Sequence, residues 1–220
     1  MEQVLAHDNS FLKQGIVSAM TIRDCVITET AAQDDSGLFS DGETAERCVV
    51  YGNRSGQAGG SSPVGFWDVR KVLDSVAANR TSSDMLSGDG FNNCDTLGCV
   101  AYAHAGDGFQ GSVFQYSVAF TNVKVGFYLG ANVSAQNCLA VANESGFVDQ
   151  NLVSSLRVVD NHAARNPAVG FWLQRPGVIA VDNSAQGNFT IGGSAKGGAG
   201  IVLTGGTTIN TNNAWANFSW

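Results

Sequence analysis

The chain of 220 residues is short of proline, of charge and of long apolar runs. It holds 3 prolines and 14% charged residues, so most of its polar surface must be neutral. Lys and Arg number 12 against 19 Asp and Glu, giving a net charge of −7. A surface this poor in cations argues against nucleic acid as the main partner, because phosphate binding needs a basic patch. No stretch reaches the ~18 continuous apolar residues that a transmembrane helix requires. Residues 1–10 lack the basic start and apolar core of a secretory signal. The expected settings are therefore cytoplasmic, virion-associated, or a fragment of a larger secreted protein. Cys25, Cys48, Cys94, Cys99 and Cys138 form no CxxC pair, so neither a zinc site nor a disulfide framework is favoured. They are expected to be small buried apolar groups. No metal or other cofactor is expected. The three histidines, His7, His104 and His162, are scattered, and no Ser/His/Asp arrangement emerges from them.

Glycine is abundant at 27, and 44% of residues are apolar. That mixture suits short strands joined by turns rather than a helical bundle. A strand motif recurs: GIV at 15, GLF at 37, GFW at 65, GFN at 90, GFQ at 108, GFY at 126, GFV at 146, GFW at 170 and GIV at 200. Successive copies start between 18 and 30 residues apart. A second motif follows each, an apolar strand ending in a small polar residue. It reads CVITET (25–30), CVVYGN (48–53), DSVAAN (74–79), CVAYAH (99–104), SVAFTN (117–122), CLAVAN (138–143), LRVVDN (156–161) and VIAVDN (178–183). Read this way, each coil has a nearly constant part and a variable part, with all large insertions before the next glycine.

A unit of this size cannot bury its apolar side alone, so units must stack and share a core. The pattern predicts an all-β, right-handed parallel β-helix of about nine coils over 15–208. Residues 1–14 are expected to cap one end, and 209–220, with Trp215, Phe218 and Trp220, to cap the other or to make an oligomer contact. Side chains alternate along a strand, so Phe66, Phe91, Phe109, Phe127, Phe147 and Phe171 are expected to stack inside, continued by Ile16, Leu38 and Ile201. The preceding glycine is expected to permit a tight corner. Asn53, Asn79, Asn122, Asn143, Asn161 and Asn183 are expected to form one ladder at a sharp turn, since Asn tolerates the left-handed region and bonds to local backbone. A leucine-rich repeat lacks support in the leucine pattern, and the short periods of a left-handed hexapeptide helix or a calcium-binding nonapeptide roll are missing.

These features resemble the pectin-lyase-like right-handed β-helix superfamily, over roughly residues 15–213. The resemblance implies coils of this length, internal stacks and an Asn ladder. It implies no single activity, because the superfamily includes polysaccharide lyases, hydrolases, epimerases, phage tailspikes and inert scaffolds. The chain has no Gly-His-Gly, Asn-Thr-Asp or Arg-Ile-Lys as in polygalacturonases, and no Asp-Pro-His-Asp as in alginate epimerases.

If the Phe column points inward, the next residues point outward: Val17, Phe39, Trp67, Asn92, Gln110, Tyr128, Val148, Trp172 and Val202. Adjacent coils lie ~4.8 Å apart, so Tyr128 and Trp172 would be ~10 Å apart, a spacing suited to sugars along a chain. Aromatic faces fit the apolar face of a sugar ring. Insertions long at both ends and short in the middle would make a trough with this row as its floor. Phe39, Trp67, Gln110, Tyr128 and Trp172, with Arg70 and Arg175 near the groove, are the candidate glycan-binding residues. Asp41 and Asp68, on adjacent coils near the end of the same strand with Glu43 and Arg70 nearby and Asp34 and Asp35 in the loop beside them, are the candidate pair of carboxylates for glycosidic chemistry. The primary expectation is a non-catalytic scaffold that binds an extended glycan or assembles with partners, as a homo-oligomer such as a trimer. The alternatives are a polysaccharide lyase or hydrolase, and a purely structural repeat protein.

Overall fold

The computed structural model describes residues 5–7, 10–11, 16–17, 20–28, 31–32, 39–52, 54–55, 64–79, 88–149, 155–174, 177–188, 199–203, 209–211 and 214–216. They form a parallel β-solenoid, with no helix among the described residues. Each coil contributes three strands. First strands, such as Phe66–Trp67 and Phe91–Asn92, form a nine-strand path from Ile16–Val17 to Ala199–Leu203. Second strands, such as Lys71–Leu73 and Asp95–Leu97, continue the same sheet around a turn. Third strands, such as Val76–Ala78 and Val100–Tyr102, form a ten-strand sheet whose outermost members are Leu5–His7 and Ala214–Ala216. A small three-strand sheet joins Ser10–Phe11, Ala31–Ala32 and Arg54–Ser55.

The second and third sides follow one local rule. Three extended residues bury the middle side chain, the next residue takes a left-handed backbone, and the one after it turns a small side chain inward. Asp95–Leu97, Gly98, Cys99 and then Val100–Tyr102, Ala103, His104 show both sides of one coil. The left-handed position holds Asp24, Arg47, Asp74, Tyr116, Asn137, Asp160 and Asp182 before the third strand. After it come Ala103, Thr121, Ala142 and Arg165, with Gly52 and Gly187. Asp, Asn and Gly bear this backbone at least cost.

Seven phenylalanines stack through the core. Phe39, Phe66, Phe91, Phe109, Phe127, Phe147 and Phe171 are fully buried, with successive ring centroids 4.7–5.0 Å apart and planes within 10°. The ring spacing equals the strand spacing, so parallel in-register pairing sets the stack. Phe39 differs from expectation. It pairs with Phe66, and Ser40 pairs with Trp67, so Phe39 is a core residue. The strand begins one residue later than the GLF motif implied, and a one-residue slip exchanges the two faces. Ile16 and Ile201 hold the register positions beside Phe39 and Phe171; Leu38 lies outside the described residues.

The motif glycines have another role than the one expected. Gly65, Gly90, Gly108, Gly126 and Gly146 are absent from the positive-φ positions. A Cβ on any of them would lie 2.4–2.9 Å from the carbonyl oxygen of the glycine one coil on, and 2.9–3.1 Å from the alanine of its coil's third strand, such as Ala77 or Ala119. Close approach of first and third strands demands both the glycine and the alanine.

The single asparagine ladder resolves into two. After the third strand, Asn79, His104, Asn122, Asn143, Asn166 and Asn188 occupy one column. The Asn122 backbone N–H and Nδ2 both donate to Asn143 Oδ1 (3.0 and 2.8 Å), and Asn143 Nδ2 donates to Ala119 O (3.0 Å). Asn161 and Asn183 belong to the corner before the third strand, in column with Cys25, Cys48, Ser75, Cys99, Ser117 and Cys138. LRVVDN and VIAVDN are second strands, Leu156–Val159 and Val178–Val181. Asn53 lies outside the described residues. This correction also moves an insertion. Only Pro167, Ala168 and Val169 separate Asn166 from Gly170, so the extra residues of that coil, 150–154, enter between first and second strands. Insertions therefore enter at two corners, not one.

Candidate functional site

The outer row of the first sheet is where the candidates fall. Trp67, Asn92, Gln110 and Tyr128 occupy equivalent positions on four successive strands, and each is half-buried. Tyr128, Val148 and Trp172 continue the register. Val148 is only 2% exposed, so it separates Trp172 from the accessible row. At the other end Ser40 is fully buried, with its hydroxyl making no hydrogen bond. Accessible surface thus runs from Trp67 to Tyr128, ~14 Å at three strand spacings. In its middle, Asn92 Nδ2 donates to Gln110 Oε1 and to Asp89 Oδ2, both at 3.0 Å. The row reads aromatic, amide, amide, aromatic. The segments expected to wall it, including 80–87 and 189–198, lie outside the described residues, as does Arg175.

A corner the sequence did not single out supports this row. Asp89 Oδ1 accepts from the Asp107 N–H (2.8 Å), and Asp107 Oδ1 accepts from the Val125 N–H (3.0 Å). The two carboxylates stand on adjacent coils just before their first strands. Burial and the neighbouring Asp89 push Asp107 up to about 6, against the Val125 N–H and Lys124.

Asp41 and Asp68 do come together. They take the same turn on adjacent coils, followed by Asn93, all three with left-handed backbone. The Asp41 N–H donates to Trp67 O, and the Asp68 N–H to Asn92 O. Both carboxylates line an open cleft of about 440 Å3 with Glu43, Arg70, Asn93 and Asp95. Asn93 Nδ2 donates to Asp68 Oδ1 at 2.6 Å, and Arg70 pairs with Glu43 at 3.1 Å. Arg70 is 70% exposed, which makes that ion pair a weak contributor. The cleft adjoins Trp67 through Asp68.

The cysteines and histidines have structural settings. All five thiols are buried and unpaired. Burial pushes Cys94, Cys99 and Cys138 up to about 12 and Cys48 to about 11, which suppresses the thiolate. His104 replaces an amide in the ladder. Its Nδ1 faces Asn79 Nδ2 (3.2 Å) and its Nε2 faces Ala77 O (3.0 Å). A carbonyl only accepts, so Nε2 carries the proton and Nδ1 accepts from Asn79. Burial holds the His104 pKa below its ordinary value. His162 Nδ1 and Ser184 Oγ are hydrogen-bonded at 2.5 Å on the outer face of the third sheet. Three of the six N-x-Ser/Thr sequons, at Asn79, Asn143 and Asn188, fall on buried ladder residues. Among the described residues no cluster of His, Cys, Asp and Glu could hold a metal ion, and no helix is long and apolar enough to cross a membrane.

No family model, no curated protein and no solved structure matches this chain.

Proposed function

We propose that this protein is a non-catalytic parallel β-helix scaffold that binds an extended glycan along the outer row of its first sheet. The observation that carries the reading is the in-register row Trp67, Asn92, Gln110, Tyr128. Two half-buried aromatic rings bracket two hydrogen-bonded amides on a rigid sheet. Aromatic faces supply apolar contact to sugar rings while the amides meet hydroxyls. A site built on strands also loses little entropy on binding. The setting that fits is a surface or virion-type protein of the pectin-lyase-like kind. The test is titration of the intact protein with hits from a glycan array. Trp67→Ala and Tyr128→Ala are each expected to weaken binding at least tenfold, about 1.4 kcal/mol. Unchanged affinity in both variants removes the reading.

One observation favours a second reading, a polysaccharide lyase or hydrolase. Asp41 and Asp68 share an open cleft beside Trp67, and neighbouring coils stand ~4.8 Å apart. That is near the ~5 Å carboxyl separation of retaining glycosidases. Incubation with acidic and neutral polysaccharides would yield unsaturated or reducing ends, and Asp68→Asn would abolish them. A panel without product leaves the binding reading alone.

A further inference from the structure

The third strands present a second uncharged outer face, set apart from the first-strand row by its run of aliphatic and aromatic side chains. Its outward positions from Val26 to Gln186 hold no Asp, Glu, Lys or Arg. One outward column reads Val26, Val49, Val76, Val100, Val118, Leu139, and the next carries Tyr51, Tyr102, Phe120 and Val141. All are half-buried except Ala78, which is fully buried in that second column. On a chain of net charge −7, this is a face where two copies meet without like-charge repulsion.

Its relief is self-complementary. Tyr102 and Phe120 stack at 5.0 Å and form a ridge. Two strands further on, smaller residues leave a depression of about 690 Å3, lined by Leu139, Val141, His162, Ala164, Arg165 and Gln186. The ridge lies on one side of the Leu139–Val141 strand, and the depression opens from that strand toward the other side. Turning a second copy over about an axis along that strand lays each ridge in the other's depression. Tyr116 stands at the rim of the same face, 61% exposed and with φ of 50°. An aromatic residue there is unusual, because a bulky side chain is strained in that backbone. Val123, 49% exposed, stands at the opposite rim.

We propose that the protein forms a two-fold dimer through the outer face of its third sheet, with the solenoid axes antiparallel and the Tyr102–Phe120 ridge of each copy seated in the Leu139–Gln186 depression of the other. The contact is isologous, so one patch serves both partners and the assembly closes. About six strand spacings overlap, and a side about five residues wide gives on the order of 1,000 Å2 over both partners. That is the area a specific interface must clear when its complementarity is good. Glycan binding on the first sheet is independent of this contact.

Sedimentation equilibrium of the full chain tests it. The expected mass is twice that of one chain. Phe120→Glu on the ridge and Ala164→Arg in the depression are each expected to raise the dissociation constant at least a hundredfold, with the β-sheet circular dichroism unchanged. Leu97→Glu, on the outer face of the second strands, is expected to leave the dimer intact. Should a face variant lose its fold, Leu139→Cys decides. Beside the axis it is expected to join two copies through a short bismaleimide, while the five native thiols stay buried. A monomer at about 100 µM, a trimer, a dimer indifferent to both face variants, or no cross-link at position 139 overturns the proposal.

Discussion

After the third strand, the inward corner side chain is an amide at Asn79, Asn122, Asn143, Asn166 and Asn188, with His104 as the exception. Before the third strand, the equivalent position holds a thiol or hydroxyl as far as Cys138, and among the described residues amides only at Asn161 and Asn183. The two corners share one backbone rule and differ in chemistry. At the first, the amide spans three coils: Asn143 accepts from Asn122 and donates both to Ala119 O and to Asn166 Oδ1. At the second, the Cys138 thiol donates to Gln136 O in its own coil (3.3 Å) and meets the Ser117 backbone of the neighbouring coil, but a thiol is a weak donor and weak acceptor. Asn161 shows that the second corner has room for the full pattern, with Nδ2 donating to Ala135 O (2.9 Å) and to Asn183 Oδ1 (3.0 Å). Backbone geometry thus fixes the size of the corner side chain. Both columns bond between coils, but the amides do so with full-strength donors and acceptors to both neighbours, the thiols with weak contacts such as Cys99 Sγ to Val72 O at 3.2 Å.

The comparison breaks most directly within one coil. Asn143→Ala leaves the Asn122 N–H, Ala119 O and Asn166 Oδ1 without that partner, and is expected to cost about 3 kcal/mol or more in denaturant unfolding. Cys138→Ala, across the same third strand, removes one sulfur atom and its weak bonds to Gln136 and Ser117, and should cost roughly 1 kcal/mol. Equal losses would mean that the two corners do the same work.

pH sharpens the comparison at the exception. His104 must be neutral, because protonating Nδ1 sets a donor against Asn79 Nδ2. Its folded pKa lies below the ordinary 6.5, so the unfolded chain takes up the proton first. Stability is expected to fall as pH drops below 6.5, by up to about 1.4 kcal/mol per pH unit, until the folded pKa is reached. Asp107 acts oppositely. Raised to about 6 from 3.8, it penalises the folded state at neutral pH and releases that penalty as pH falls from about 6 toward 3.8. Burial lowers the His162 pKa as well, so in thermal melts His104→Asn together with His162→Asn should reveal stability rising on mild acidification, and adding Asp107→Asn should flatten it. A wild-type acid loss that His104→Asn alone leaves undiminished counts against the ladder role.

The smallest effect runs the other way. Cys138→Asn gives the second corner an amide beside Asn161 and should gain about 0.5–1 kcal/mol. A loss instead would show that volume, not hydrogen bonding, keeps the thiol there.

Much of this protein was legible in its sequence. Gly–Phe pairs gave the core stack because alternation is local and the residue after each Phe must face out, which placed Trp67, Gln110, Tyr128 and Trp172 on one row. Asp41 and Asp68 were paired through the same count. Phe39 was misassigned because GLF and GFW look alike while their strands start one residue apart. Asn161 and Asn183 were put in the wrong ladder for a deeper reason. Second and third sides obey the same rule of apolar strand, left-handed residue and small inward side chain, so LRVVDN and CLAVAN are equivalent locally.

The sequence by itself determined that the chain is a parallel β-solenoid with a phenylalanine core, because each of those features repeats within one strand. Tertiary structure alone decided which side of the coil each segment occupies, since that depends on the strands stacked above and below. It also decided why the motif glycines are glycines. Their constraint is the carbonyl of the next coil, not a left-handed backbone of their own. The accessible row from Trp67 to Tyr128 was settled there too, because burial of Ser40 and Val148 ends it on both sides.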